Sequence, residues 1–343
     1  MNKASKHRVA VTIVAVVSIG IAGGSAIGAE ESEWTLRLEP MYTDAFGNDR
    51  QVLRVRELDL DVVPSTDVTT PVALDTEGTL ANRFTVLYKR ANWQEWTLGA
   101  DFIYFGSAQG RPNRTAAAGG PAGPVEQVVF EAADRSFTSD DPAEALSFDV
   151  LEDTDLEAWT MDFYGVRTLA ETPGRQLKLV LGLRNADFDN DYHGVVGVDS
   201  VNGSLIDASS NYDSMQGPLL GLIGEVQLGK NTLTGYIGQS VVFGSTNLSR
   251  TISDYVGPAG DPSTIITQET YRLIQDVSIP ITELRIRWMH PISKRFSVGA
   301  TANASVWSDV PVPPAIEPGL AGGGVDKNTI VFFGLGAAVE YRF

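Results

Sequence analysis

Hydrophobic and polar residues alternate with a period of two at the carboxy-terminal end of the chain. From Val331 to Phe343 the odd-numbered positions are apolar or aromatic, whereas Glu340 and Arg342 occupy even-numbered positions. Successive side chains of a β-strand point to opposite faces, so this strand has one face suited to lipid and one suited to water. The pattern predicts a membrane-spanning strand, and Val339, Tyr341 and Phe343 form its candidate assembly signal.

Similar alternating segments recur along the chain, joined in turn by short turns and by long polar connections. The short turns are Arg90–Asn92, Ala170–Gly174, Gly229–Asn231 and Pro291–Lys294, and the long connections are 107–154, 189–213, 245–275 and 308–327. Short periplasmic turns and long extracellular loops are typical of outer-membrane barrels. The sequence therefore predicts an all-β fold, a closed antiparallel transmembrane β-barrel.

The number of strands follows less directly from the pattern. Both termini of such a barrel lie in the periplasm, so the number must be even, yet eleven candidate segments are readable. A weak strand near Val68–Asp75 would make twelve, which is the preferred number. Alternatively, 51–63 belongs to an external loop and the barrel has ten strands. A change of phase between Val55 and Leu58 fits either a β-bulge or a loop hairpin.

The amino-terminal segment predicts export from the cytoplasm. Lys3, Lys6 and Arg8 precede an apolar run from Val9 to Ala22, and small residues follow as far as Ala29. This is the pattern of a secretory signal peptide, 1–28, with cleavage after Gly28 or Ala29. The rest, 29–343, contains no linker and is predicted to be a single barrel domain in the bacterial outer membrane.

Composition and charge limit the partners that the protein can bind. The chain has no cysteine, so neither disulfides nor thiolate metal sites contribute. Its formal net charge is −17, which becomes −20 when the three basic residues of the signal peptide are removed, so nucleic acid is a poor partner. No cofactor motif is present. The predicted partners are outer-membrane lipid and lipopolysaccharide, the outer-membrane assembly machinery, and small solutes or ions, and an oligomer is compatible with the sequence.

Tryptophan placement also favours a membrane protein. Aromatic side chains form girdles at the two membrane interfaces, where the ends of spanning strands lie. The tryptophans at or near predicted strand ends are Trp34, Trp93, Trp96, Trp159, Trp288 and Trp307. A soluble β-protein would also bury tryptophan, but the terminal aromatic stripe argues against one.

Charged residues within the alternating strands mark the inner wall of the predicted barrel. A charge that faces lipid near the midplane costs about 2–4 kcal/mol, whereas a charge in the lumen is solvated. The phase of each strand places the following candidates inward: Arg37, Glu39, Asp101, Asp162, Lys178, Arg184, Glu225, Glu283, Arg285, Arg287, Glu340 and Arg342. In an open pore they would set ion selectivity, and in a narrow barrel they would pair into a plug of salt bridges.

Metal binding and catalysis have weaker support. The spacing of Asp189 and Asp191 resembles the start of a calcium loop, but the terminal acidic ligand is missing, so no metal site is predicted. His193, near Asp189, Asp191 and Ser210, is the only candidate general base in an outer loop. No third orienting group is identifiable, so the chain is not predicted to be an enzyme and no catalytic residue is assigned.

Several segments in order resemble the Legionella-type pore-forming major outer-membrane proteins. They are LKLVLGLRNADFD at 177–189, GPLLGLIGEVQLG at 217–229, SIPITELRIRW at 278–288, FSVGATANASVW at 296–307 and the closing FFGLGAAVEYRF. The chain departs from that family at 215–219, where one glycine and a basic residue are missing. The resemblance implies a monomeric or oligomeric pore. The expected function is thus passive diffusion of ions or small hydrophilic solutes, and the alternative is a structural or adhesive barrel with a closed lumen.

Overall fold

The computed structural model describes most of the chain as β-strand. It covers residues 32–46, 51–59, 66–73, 78–90, 93, 96–110, 113–118, 127–132, 135–139, 146–198, 202–256, 264–311 and 327–343. The predicted signal peptide, 1–28, lies outside these residues. Within the described ranges, no helix is long and apolar enough to cross a membrane.

The described residues form fifteen strands in chain order. They are β1 (Glu33–Phe46), β2 (Gln51–Asp59), β3 (Thr66–Ala73), β4 (Thr79–Lys89), β5 (Trp96–Gly110), β6 (Asn113–Ala118), β7 (Gln127–Ala132), β8 (Arg135–Ser139), β9 (Leu146–Thr172), β10 (Arg175–Val198), β11 (Asn202–Leu228), β12 (Asn231–Val256), β13 (Thr264–Pro291), β14 (Phe296–Pro311) and β15 (Lys327–Arg342).

Ten of these strands close into a ring. The order is β1-β4-β5-β9-β10-β11-β12-β13-β14-β15, every pairing is antiparallel, and β15 returns to β1 through pairs such as Leu36 with Tyr341. In an open sheet the backbone N–H and C=O groups of the edge strands would find no hydrogen-bond partner in lipid, and closure of the ring removes those edges. The predicted closed antiparallel barrel is confirmed.

The preferred number of twelve strands is wrong, and the alternative of ten is what the ring contains. The segments counted as extra strands, β2 and β3, pair with each other, and β2 also pairs with β7 in a separate four-stranded sheet. Local alternation identifies a strand but not its partner, so the sequence pattern does not separate an external hairpin from a barrel hairpin.

The ten barrel strands differ greatly in length. β9 to β13 contain 24 to 28 residues each, whereas β1, β4, β5, β14 and β15 contain 11 to 16. Spanning the membrane takes about 9–11 residues. The five long strands therefore continue well beyond the membrane and build a wall, here called the extracellular wall, on one side of the barrel.

The membrane-spanning part has an apolar outer surface. On β15, Phe333, Leu335, Val339 and Tyr341 are exposed outward, while Glu340 is 4% exposed and points inward. This is the arrangement that the terminal alternation predicted. Leucines on other strands, such as Leu222, continue the apolar surface around the barrel.

Tight turns join the strands at the periplasmic end. β9 and β10 are connected through Gly174, and β11 and β12 through Gly229, both with positive φ, at 77° and 66°. Glycine reaches this left-handed region without a Cβ penalty. Each of the four predicted short turns lies at a junction between consecutive barrel strands, although 170–172 still belong to β9, and 91–92 lie outside the described residues.

Three of the four stretches predicted to be long loops are largely strand. In 107–154 the strand residues are 107–110, 113–118, 127–132, 135–139 and 146–154. Most of 189–213 belongs to β10 and β11, and most of 245–275 belongs to β12 and β13. Here Asp189 and Asp191 point outward while Phe188 and Tyr192 are buried inside, which reverses the polarity of the membrane-spanning part. Water surrounds the wall, so its strands lack the lipid-facing pattern by which spanning strands are recognised.

Candidate functional site

Apolar side chains fill the lumen on its extracellular side. Phe105 stacks on Phe332 with ring centroids 4.4 Å apart, Phe332 contacts Trp307 at 6.0 Å, and Trp307 contacts Phe188 at 6.0 Å. These residues come from β5, β15, β14 and β10, so the aromatic contacts run across the barrel and not along one wall. The cluster, here called the aromatic plug, also contains Tyr212, which meets Phe188 edge-on at 5.3 Å.

Trp307 is therefore not part of an interfacial girdle, contrary to the prediction from its position near a strand end. Its side chain is 0% exposed. The register of β14 against β15 shifts between Trp307 and Val310, and Asp309 has a positive φ of 57° at that irregularity. The shift lets Trp307 and Val310 both point inward although they are three residues apart.

A layer of ion pairs lies directly below the aromatic plug. Arg184 donates to both carboxylate oxygens of Asp162, at 2.7 and 2.6 Å, and its Nη2 donates to Glu283 Oε2 at 2.8 Å. Arg83 pairs with the other oxygen of Glu283. Glu283 is thus shared by Arg83 and Arg184, and Arg285 Nη2 also lies 3.2 Å from it. The side chains of Arg83, Asp162, Arg184 and Glu283 are almost completely buried.

The same layer extends to the opposite side of the barrel. Arg285 Nη1 lies 3.3 Å from Asp101 Oδ2, and Arg287 Nε lies 2.5 Å from Glu39 Oε1. Glu39 is 0% exposed. Desolvating such charges costs several kcal/mol per ion, and close pairing compensates for that cost. At this height the lumen holds a network, here called the charged layer, rather than a column of water.

The sequence-predicted lumen residues all lie inside the barrel, at two depths. Seven of them belong to the charged layer: Glu39, Asp101, Asp162, Arg184, Glu283, Arg285 and Arg287. A cavity below that layer is lined by the other five, Arg37, Lys178, Glu225, Glu340 and Arg342, and also by Asp101, Asp162, Arg285 and Arg287. Lys178 pairs with Glu225 at 2.6 Å, and Arg37 pairs with Glu340. Inward placement is thus observed, whereas a role in conduction stays a prediction.

Arg83 is a central member of the charged layer that the sequence reasoning missed. It is 2% exposed, and besides Glu283 it lies 3.6 Å from Asp101. A usable signal was present, because Phe84, Val86 and Tyr88 form the outward face of β4 and Arg83 has the opposite phase. Arg83 was overlooked because it is the first residue of the segment recognised as a strand.

The cavity has a volume of about 860 Å³ and lies toward the periplasmic turns. Residues of those turns, Lys230, Ser293 and Lys294, line its mouth, whereas Arg285 and Arg287 lie at its inner end. It is therefore a blind vestibule below the charged layer. Its dimensions fall in the range of small-molecule sites, about 300–1,000 Å³.

His193 has a different neighbour from those expected. Its Nδ1 lies 2.6 Å from Asp207 Oδ1, with both side chains about half exposed on the outer surface of the extracellular wall. Ser210 is 0% exposed and lies on the inner face of the same wall. A serine on the opposite face of the sheet is out of reach of the histidine, so the expected grouping with Ser210 is wrong.

No metal site is formed by the described residues, in which no group of three or more His, Asp or Glu side chains is placed to hold an ion. Asp189 and Asp191 both point outward from β10. The two carboxylates alone form an incomplete set of oxygen ligands.

Comparison with solved structures supports the fold at a TM-score of 0.50. The outer-membrane protease OmpT from Escherichia coli matches 93% of this chain and 99% of its own, with 13% identity and a TM-score of 0.50. The autotransporter NalP translocator domain from Neisseria meningitidis matches with 11% identity and a TM-score of 0.32, covering 99% and 98% of the two chains. No family model and no curated protein matches the sequence.

The closed ring of strands and its likeness to OmpT define the class: this chain is a bacterial outer-membrane β-barrel. Identity at this level conveys fold alone, so the protease activity in the name of OmpT is not transferred. Membership of the Legionella-type pore-forming family stays a prediction.

Proposed function

We propose that this protein is a closed outer-membrane barrel that acts at the cell surface through its extracellular wall, as a structural or adhesive protein. The observation that carries the proposal is the charged layer, whose ion pairs connect strands on opposite sides of the lumen. The aromatic plug fills the lumen with apolar side chains on the extracellular side of the charged layer. Ions would have to break both layers to cross.

The edge of the extracellular wall supports a binding role. Above Ile281, β13 pairs with β12 and has no pairing with β14 among the described residues. Ile266 and Ile274 on this edge are 61% and 73% exposed. An unpaired strand edge is a common place for an extended segment of a partner protein to add to a sheet.

Passive diffusion of small solutes is the other function that the sequence predicts, and a conductance measurement separates the two. The purified mature protein is inserted into a planar bilayer beside a variant with a weakened charged layer, Arg83→Ala combined with Glu283→Ala. We expect no discrete current steps from the wild type and measurable steps from the variant, which shows that insertion succeeded. Reproducible wild-type steps would reject a closed lumen and restore the diffusion pore.

Adhesion through the β13 edge is tested on whole cells. Cells that display the protein are expected to aggregate or attach more than cells without it. The Ile274→Lys variant is expected to lose this gain, because a lysine on an edge discourages strand addition. Ile292→Lys is the matched control, since Ile292 is 61% exposed but lies at a periplasmic turn. Equal loss in both variants would contradict a role of the edge.

A further inference from the structure

The periplasmic vestibule has two chemically different walls. One wall, from β9 to β12, carries Tyr164, Val166, Val180, Ile223 and Tyr236, which pack together as a small apolar cluster. The other part of the lining carries three arginines, Arg37 from β1 with Arg285 and Arg287 from β13, together with carboxylates such as Glu340. In the ring order, β1 lies opposite β11, so Arg37 faces the apolar wall across the vestibule. β13 is the neighbour of β12, so Arg285 and Arg287 lie beside that wall.

The arginines at the inner end of the vestibule have N–H donors that are not paired with carboxylates among the described residues. Arg287 is 6% exposed, and within the described part of the chain its one ion pair is the contact of Nε with Glu39. Arg37 and Arg285 are nearby like charges that act on it. Its remaining N–H donors line the vestibule, where they are available to an anion.

Arg285 shows the same incomplete pairing. Its two terminal nitrogens contact Asp101 and Glu283, at 3.3 and 3.2 Å, but its buried Nε has no hydrogen-bond partner among the described residues. The guanidinium also lies over the ring of Tyr236, 4.9 Å from its centroid. A buried donor without a partner destabilises the protein, so the hydrogen bonds of this guanidinium are not saturated by the described residues.

We propose that the vestibule binds an organic acid with an aromatic or aliphatic body. The carboxylate accepts hydrogen bonds from Arg285 and Arg287, and the body packs against the wall of Tyr164, Val180 and Ile223. Arginine suits a carboxylate because its planar donors match the two oxygens. The vestibule opens toward the periplasm, so the ligand enters from that side. This site is separate from the extracellular wall and does not depend on its function.

The test is isothermal titration of the full mature protein in lipid nanodiscs with 2-naphthoate, after subtraction of the signal from empty nanodiscs. The neutral analogue 2-naphthalenemethanol and inorganic sulfate are titrated in parallel. We expect 2-naphthoate to bind at least about tenfold more tightly than either, since each lacks one of the two groups that the walls recognise. Absence of naphthoate binding, or equal binding of the neutral alcohol or of sulfate, would overturn the proposal.

Variants locate the site. Arg287→Gln is expected to weaken naphthoate binding at least about tenfold. Because it also leaves Glu39 without a partner, a second variant, Ile223→Glu, adds a carboxylate to the vestibule without removing an ion pair. Arg272→Gln, on the exposed part of β13, is the control and should bind as the wild type does. Each variant is checked for folding by its heat-modifiable gel migration. Wild-type affinity in folded Ile223→Glu would reject this location.

Discussion

Arg285 and Asp101 meet at 3.3 Å although their strands, β13 and β5, are five places apart in a ring of ten. They are diametrically opposite, so this one contact crosses the whole lumen. Ten-stranded barrels are only slightly wider than the eight-stranded ones whose interiors side chains fill. Long arginine side chains from one wall therefore reach carboxylates on the other.

Removing the shared carboxylate should destabilise the barrel strongly. In Glu283→Gln, Arg83, Arg184 and Arg285 lose their common anionic partner while remaining buried. Leaving buried charges uncompensated typically costs about 3–5 kcal/mol. We expect a loss of that size in the free energy of unfolding, measured by urea denaturation in lipid vesicles. A change below about 1 kcal/mol would mean that water already solvates these charges.

The His193–Asp207 pair should contribute far less. Both side chains are about half exposed, and exposed pairs are worth about 0–1 kcal/mol because water and salt screen them. Asp207→Asn is therefore expected to leave the urea midpoint almost unchanged in the assay used for Glu283→Gln. A cost comparable to that of the buried variant would show that the extracellular wall depends on this contact.

Depth in the membrane should decide the cost of a charge on the outer surface. Leu228 is the last residue of β11, beside a periplasmic turn, and Leu222 lies on the same strand nearer the extracellular side. Since about 9–11 residues span the membrane, we expect Leu222 to lie near the midplane. Leu222→Arg is expected to cost about 2–4 kcal/mol and Leu228→Arg about 0–1 kcal/mol. The free energy of unfolding in vesicles measures both. Equal costs would place the bilayer at a different height on the barrel.

The carboxy-terminal aromatic residue is expected to matter more for assembly than its exposure suggests. Phe343 and Trp34 exchange backbone hydrogen bonds of 2.9 and 3.1 Å at the end of the β1–β15 seam. Phe343→Ala keeps these backbone bonds but removes the ring, which lies 5.7 Å from the ring of Tyr341, and should lower the fraction of heat-modifiable protein in isolated outer membranes. Phe333→Ala is the matched control, since Phe333 is similarly exposed on β15, the strand that ends just before Phe343. Equal yields from both variants would refute a special role for the terminus.

Alternation along single strands predicted the barrel and the inward charges, because both follow from the two faces of a strand. Glu283 and Arg285 were placed inside on phase alone, and that placement is observed. The contact between Arg285 and Asp101 could not be predicted in this way. It depends on the number of strands and on which strands face each other, and no local pattern encodes either.

Trp307 and the strands of the extracellular wall were misread for a related reason. Interpreting a residue as lipid-facing assumes that lipid surrounds the strand at that height. Above the membrane the apolar side chains point inward and the polar ones outward. An inward tryptophan there resembles an interfacial one, and Asp189 and Asp191 resemble loop residues. Identifying the membrane boundary first would have corrected both interpretations.

The unequal lengths of the barrel strands also bear on how the protein reaches its place. The five long strands carry polar residues on their outer faces beyond the bilayer, among them Asp189, Asp191 and His193. These groups must cross the hydrocarbon for the strands to reach the far side, and each pays a desolvation cost during the crossing. We therefore expect the transfer of the longest, most polar hairpins across the bilayer to limit the rate at which this barrel assembles.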